Sequence, residues 1–229
     1  LGVTLFGGFM KLAIYDFDGT YINIQTLPFL YKLWKEKKLN NRAYKKYWGK
    51  IMRRYLLNKL NLFGWDKVKF RRYAMALSAD LFRSIKFSEL DLFLEEFYTS
   101  IKPHISHVMK EQLKKDIDEG YETVLLSGNF SIILKPFLKE GFHNVLGTKI
   151  LDNNLLLSSN EVDIVMHQKK CDLITSNYPN ADLEESKAYA DSGYDSPILF
   201  LVGHPIAVNP DEQLLEIARK NNWKIRQEK

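Results

Sequence analysis

A single cysteine, Cys171, occurs in 229 residues, which excludes an intramolecular disulfide and fits a reducing, cytoplasmic setting. No stretch of about 18 consecutive apolar residues is present, so no segment reads as a membrane-spanning helix. The apolar N-terminus, LGVTLFGGFMKLAIYDF, lacks both a basic n-region and a small-residue cleavage site, and so does not read as a signal peptide. Met10 reads as a natural start, with residues 1–9 an extension ahead of it. Internal repeats and low-complexity linkers are also missing. Acidic residues are scarce in one place: from Lys32 to Arg72 there are fifteen Lys/Arg against only Glu36 and Asp66. Because the whole chain carries +5, everything outside that segment is net acidic. Such a split points to two units with different jobs.

What is present is ordinary for a globular protein: 45% hydrophobic and 27% charged residues, with a generous 13% aromatics to fill a core. Lys11 to Asp16 is a short apolar run ending in an acidic loop, the pattern of a buried parallel strand. From Leu27 to about Thr99 apolar residues recur at three- and four-residue spacing with no strand-like alternation, which predicts helices throughout. Gly64 marks one break there and Phe87-Ser88 another, with Ser88 as an N-cap. After Pro103 the rhythm alternates. Helices are expected over His104–Glu119, Phe130–Glu140, Gln168–Ser176 and Asp211–Asn221, with a short one from Asp195. Strands are expected at Glu122–Ser127, Asn144–Gly147, Lys187–Asp191, Pro205–Val208 and Trp223–Arg226, and a hairpin turning at Asp152-Asn153-Asn154. Alternation on both sides of a purely helical stretch implies an α/β, Rossmann-like doubly wound parallel sheet with an inserted helical unit. The expected division is a core of residues 10–24 and 102–229 and an insertion of residues 25–101.

Ligands in open α/β sheets bind at the carboxyl ends of strands. Three predicted strand ends carry polar groups: Asp16-Phe17-Asp18-Gly19-Thr20, Ser127-Gly128-Asn129 and Asp191-Ser192-Gly193-Tyr194-Asp195. Each alone has a plainer explanation, as a turn or a helix cap. In this order, each at a strand end, they bring four carboxylates together. Buried carboxylates repel one another, and a hard divalent cation such as Mg2+, partnered by a phosphate, resolves the conflict. Asp16 can then face an incoming phosphorus, and Asp18 can lean over the same pocket as a general acid. Ser127 and the amide after Gly128 offer neutral donors to phosphate oxygens, and a lysine balances the remaining charge.

These segments resemble the haloacid dehalogenase-like hydrolases, in particular their phosphoserine-phosphatase-like branch. AIYDFDGT resembles the first family motif, VLLSGNF the second and AYADSGYDSPIL the fourth, while the tail VGHPIAVNPDEQLLEIARKNNWKI is similar to the end of that fold. The resemblance implies a phosphoric monoester hydrolase acting on a small phosphorylated metabolite through an aspartyl-phosphate on Asp16. It implies Mg2+ held by Asp16, the backbone carbonyl of Asp18 and Asp191, with Asp195 in support. The third motif's lysine is Lys170 or Lys169. Lys170 is favoured because Cys171 and Ile174 then occupy apolar helix positions. The insertion corresponds to the family's helical cap, which selects the substrate. Phosphoserine phosphatases have a glutamate where this chain has Gln25, and a neutral amide is a poor partner for an ammonium group. Phosphoserine is therefore disfavoured.

The basic, aromatic-rich insertion has three readings, in descending order of preference. Its aromatics pack inward with lysines outward. It forms a positive funnel for an anionic substrate, with Arg53, Arg54, Arg71 and Arg72 reaching a second anionic group. Or it contacts an anionic membrane surface or a nucleic acid, nucleic acid being disfavoured. Rival readings of the whole chain are a non-enzymatic anion-binding protein and a phosphotransferase with an acceptor other than water.

Overall fold

The computed structural model describes residues 10–60, 64–152 and 155–227; the expected extension over residues 1–9 and the hairpin tip at residues 153–154 lie outside them. Strand β1 (Leu12–Asp16) is buried along its whole length. Its side chains alternate: Leu12 and Ile14 enter one apolar cluster, Ala13 and Tyr15 the other. Only a strand covered on both faces needs apolar residues at every position.

Four helices follow: α1 (Thr26–Glu36), α2 (Asn41–Lys59), α3 (Lys67–Phe82) and α4 (Phe87–Ile101). Asn40 and Asp66 cap α2 and α3, accepting from Ala43 N and Lys69 N. Helix α4 is capped by Lys86, without a side-chain bond, so Ser88 falls in the first turn instead of at the cap. Pro103 diverts the chain into a 3-10 turn, Lys102–His104. Ser106 then caps α5 (His107–Asp118) by accepting from Met109 N at 3.0 Å. This moves the expected start at His104 three residues on.

Strand β2 (Glu122–Phe130) leads into α6 (Ser131–Leu134), which Pro136 cuts short into a 3-10 segment, Lys135–Glu140. The continuous helix expected over Phe130–Glu140 is therefore broken by a residue that cannot donate its N–H. The rest of the fold comprises β3 (Asn144–Thr148), a short antiparallel pair β4 (Leu151–Asp152) and β5 (Leu155–Leu156), α7 (Gln168–Asn177), β6 (Lys187–Ala190), α8 (Ser196–Phe200), β7 (His204–Val208), α9 (Glu212–Lys220) and β8 (Lys224–Arg226).

Six strands form one parallel sheet in the order β3-β2-β1-β6-β7-β8. Strand β1 lies inside it, so the chain leaves β1 between the ends of β2 and β6, where crossovers diverge and a cleft opens. Helices α7, α8 and α9 cover the face bearing Ile14, Ala188 and Ala207. On the other face Tyr15 and Tyr189 stack at 4.5 Å and both hydroxyls donate to the fully buried Asp116 of α5, at 2.5 and 2.8 Å. The helical block packs on the core through Phe82 against Phe130 and Tyr98 against Phe137. Its two connections lie side by side: Asn23 N donates to His104 O at 2.9 Å, and Ile22 bridges Ile105. No helix among the described residues is long and apolar enough to cross a membrane.

Candidate active site

The chain after β1 closes at once into a tight turn, with Gly19 N donating to Ile22 O at 2.8 Å and Tyr21 N to Asp16 O at 3.2 Å. That turn returns Asp18 over the strand end beside Asp16. Gly19 sits at φ +84, and a Cβ there would lie 2.1 Å from Oδ2 of Asp191. Both the backbone conformation and the close approach of Asp191 demand a residue without a side chain.

Asp16 is 6% exposed, and its Oδ1 accepts from Lys170 Nζ at 2.6 Å. The same ammonium reaches Asp195 Oδ1 at 2.7 Å. Lys170 lies in the first turn of α7 and is buried. Its neighbour Lys169 is turned outward and pairs with Asp163, so of the two it is Lys170 that lines the cavity. Burial opposes the Lys170 charge, but the attraction of Asp16 and Asp195 outweighs it and raises its pKa. Burial also drives the Asp16 carboxyl well above the usual carboxylate range; Lys170 pulls it back while Asp195 and Asp191 push it further up. Asp191 is pushed up to about 7, by burial first and then by Asp195.

Asp18 is held from several sides. Thr26 donates to its Oδ1 through its N–H at 2.8 Å and through its hydroxyl. Asn129 Nδ2 donates to Oδ2 at 2.9 Å, and Arg71 Nη2 stands 3.8 Å from that oxygen. Burial raises its pKa, and these partners reverse only part of the rise. A carboxyl so placed holds its proton more readily than a free aspartate. Ser127 is 2% exposed and lies where β2 loses register with β3, between Leu126 and Phe130. Asp191 is positioned from the far side: Asp211, which caps α9, donates its N–H to Asp191 O at 2.8 Å and accepts from Gly193 N and the Ser192 hydroxyl.

Asp16, Asp18, Ser127, Gly128, Lys170, Asp191 and Asp195 all line one cavity of about 230 Å³, together with Gln25, Arg71, Met166, His167 and Tyr194. A larger hollow of about 590 Å³ lies beside Lys187, Trp223 and Lys224, but the acidic cluster is not there. Candidate ligand oxygens of Asp16, Asp191 and Asp195 fall within 4.8 Å of one another. An all-oxygen set of clustered carboxylates fits a hard cation, which would relieve the repulsion that, after burial, pushes Asp16 and Asp191 up.

Two expected specificity residues are elsewhere. Arg53 is exposed on α2, and Arg54 lies 4.2 Å over the Trp65 ring; neither lines the cavity. Arg71 on α3 does. Sequence reasoning did not single out Thr26 and Asn129 as partners of Asp18. The one available signal is their adjacency to Gln25 and to Ser127-Gly128.

The sequence profile of the haloacid dehalogenase-like hydrolases matches residues 13–199. A histidinol-phosphatase of Neisseria meningitidis serogroup C is 25% identical over 233 residues, covering 94% of this chain and 97% of that protein. Among solved structures, a protein of unknown function from Bordetella pertussis Tohama I superposes with TM-score 0.76 at 19% identity, covering 96% of this chain and 99% of that one. A substrate-bound phosphoserine phosphatase superposes with TM-score 0.60 at 19% identity, covering 96% and 93%.

Proposed function

The chain belongs to the haloacid dehalogenase-like hydrolases, and from that membership we propose that it is a magnesium-dependent phosphatase that hydrolyses a small organic phosphate monoester. The observation that carries this reading is the pairing of two buried carboxyls at one strand end: Asp16, bound by Lys170, and Asp18, held apart from it by Thr26 and Asn129. In this reading one carboxylate attacks and the other moves a proton.

Asp16 attacks the phosphorus, the bond to the ester oxygen breaks, and Asp18 gives its proton to the departing oxygen. Asp18, now a carboxylate, takes a proton from water as that water attacks the aspartyl-phosphate. Asp16 and inorganic phosphate are released. Ser127 donates to the phosphoryl oxygens, the amide following Gly128 orients that hydroxyl by donating to its Oγ at 3.1 Å, and Lys170 offsets the phosphoryl charge. Asp16, Asp191 and the carbonyl of Asp18, with Asp195 in support, would hold magnesium, which would supply further positive charge to the phosphoryl group.

Residues 25–101 are assigned to a cap and residues 10–24 with 102–229 to the catalytic core. The hydrogen-bonded crossing at Asn23 and His104 serves as the hinge through which the cap closes and excludes water. Gln25 in the cavity lining disfavours phosphoserine. The name of the Neisseria relative makes histidinol phosphate one member of the panel to be screened.

The test is hydrolysis of p-nitrophenyl phosphate and of a panel of small phosphate monoesters, with magnesium and with EDTA. Turnover that requires magnesium and disappears in a folded Asp16→Asn variant is the expected result. Turnover surviving in that variant would refute the nucleophile.

A further inference from the structure

Helix α2 departs from the rest of the helical block in what it shows to solvent. Its inward face is narrow, with Tyr47 and Ile51 buried. On its outward side Trp48, Met52 and Leu56, with Leu60 at the C-cap, recur every four residues and are 37%, 48%, 51% and 68% exposed. Trp48 rests by one edge on Tyr31 and Tyr47, and Tyr55 lies alongside the stripe, 51% exposed. Four-residue spacing lines these side chains up along one face. An ordinary surface helix would turn such a stripe inward.

The charge pattern is equally one-sided. Asn41–Lys59 holds seven Lys/Arg and no Asp or Glu. Arg42, Lys45, Arg53 and Lys59 are exposed beside the stripe, and none of them forms an ion pair among the described residues. Lys46 and Lys50 differ, since they line a cleft that also contains Asp80.

We propose that this face of α2 docks on an anionic lipid bilayer, the apolar stripe entering the headgroup boundary and the flanking cations resting on acidic headgroups. An aromatic and aliphatic stripe rimmed by cations is the composition an interfacial helix requires. A second copy of this chain is a poor occupant, because face-to-face packing would bring two acid-free basic helices together. A nucleic acid is also a poor fit, because Met52, Leu56 and Leu60 can neither stack on bases nor donate to phosphates.

The test is co-sedimentation of the full chain with vesicles of phosphatidylcholine alone and of phosphatidylcholine with phosphatidylglycerol. The chain is expected to pellet with the anionic vesicles and to remain in solution with the neutral ones, with binding weakened by added salt. Met52→Glu combined with Leu56→Glu should lower the bound fraction by about tenfold or more. Both positions are exposed, so helical content and hydrolysis of a small ester should stay as in the parent and report an intact fold. Equal binding to both vesicle types, no binding to either, or anionic binding unchanged in the double variant would overturn the proposal. So would a concentration-dependent dimer, or binding to a single-stranded RNA probe, that the same two substitutions abolish.

Discussion

The core and the helical block hold their polar residues in different ways. At the strand ends, position in the chain becomes position in space almost directly: Asp16, Asp18, Ser127 and Asp191 all reach one cavity. Strand ends and tight turns allow few arrangements, so a two-residue spacing fixes where a carboxyl points. In the helical block, residues of the same type part company. Arg54 stacks on Trp65 while Arg71 reaches within 3.8 Å of Asp18. Helical spacing defines faces, but aromatic packing decides which face meets the core, the cavity or water.

Two glycines offer the strongest way to break that contrast. Gly19→Ala would force a Cβ into Asp191 at 2.1 Å from a backbone held at φ +84. Phosphatase turnover should fall on the order of 10²-fold or more, since the acidic cluster must shift. Gly49→Ala in α2 meets nothing within 4 Å. It should leave turnover alone and stabilise the fold by about 0.5–1 kcal/mol, as expected for an exposed helix interior. Steady-state kinetics and thermal melts on the pair would show it. Equal effects at the two positions would erase the distinction between the regions.

The same contrast governs what is legible in the sequence. The α/β alternation, the helical insertion and the site motifs can be read because each is local: an apolar run, a turn, a polar strand end. The broken helix after Phe130 escapes such a reading because periodicity continues through Pro136 while the backbone does not. The hold on Asp18 joins residues 111 positions apart in the chain, Asp18 and Asn129, and no spacing rule anticipates it. Tyr31, Trp34 and Tyr47 are buried in the block, whereas Trp48 and Tyr55 pack on other rings by one edge and leave 37% and 51% of their surface to solvent. A hydrophobic period reports a stripe, not what covers it.

Two arginines sharpen the contrast within the block. Arg71→Ala removes the positive charge beside Asp18, so KM for the preferred substrate should rise about tenfold, the scale expected when a partly exposed site is deprived of one charged partner. Arg54→Ala removes a cation–π interaction with Trp65 and Tyr73. It should cost roughly 0.5–2 kcal/mol of stability and leave KM unchanged. Kinetics paired with thermal melts separate the two. A raised KM in Arg54→Ala with Arg71→Ala silent would reverse the assignment.

The smallest expected effect tests whether the core pays in stability for its site. Asp191 would titrate near 3.8 if unperturbed, and in the fold it is pushed up to about 7, by burial and then by Asp195. At pH below about 4 both folded and unfolded chains hold the proton, and Asp191 costs nothing. As pH rises, the unfolded chain releases a proton that the folded chain keeps, so the metal-free protein loses stability until pH passes about 7. Asn at this position carries no charge in either state. Metal-free Asp191→Asn should therefore melt a few degrees above the parent at pH 8 and show no advantage at pH 4. Added magnesium should raise the melting temperature of the parent and leave the variant where it was, because binding to the carboxylate cluster relieves the same repulsion. A variant less stable than the parent at pH 8 without metal would mean that Asp191 is held by favourable contacts, and that the strand-end carboxylates are no more strained than the side chains of the helical block.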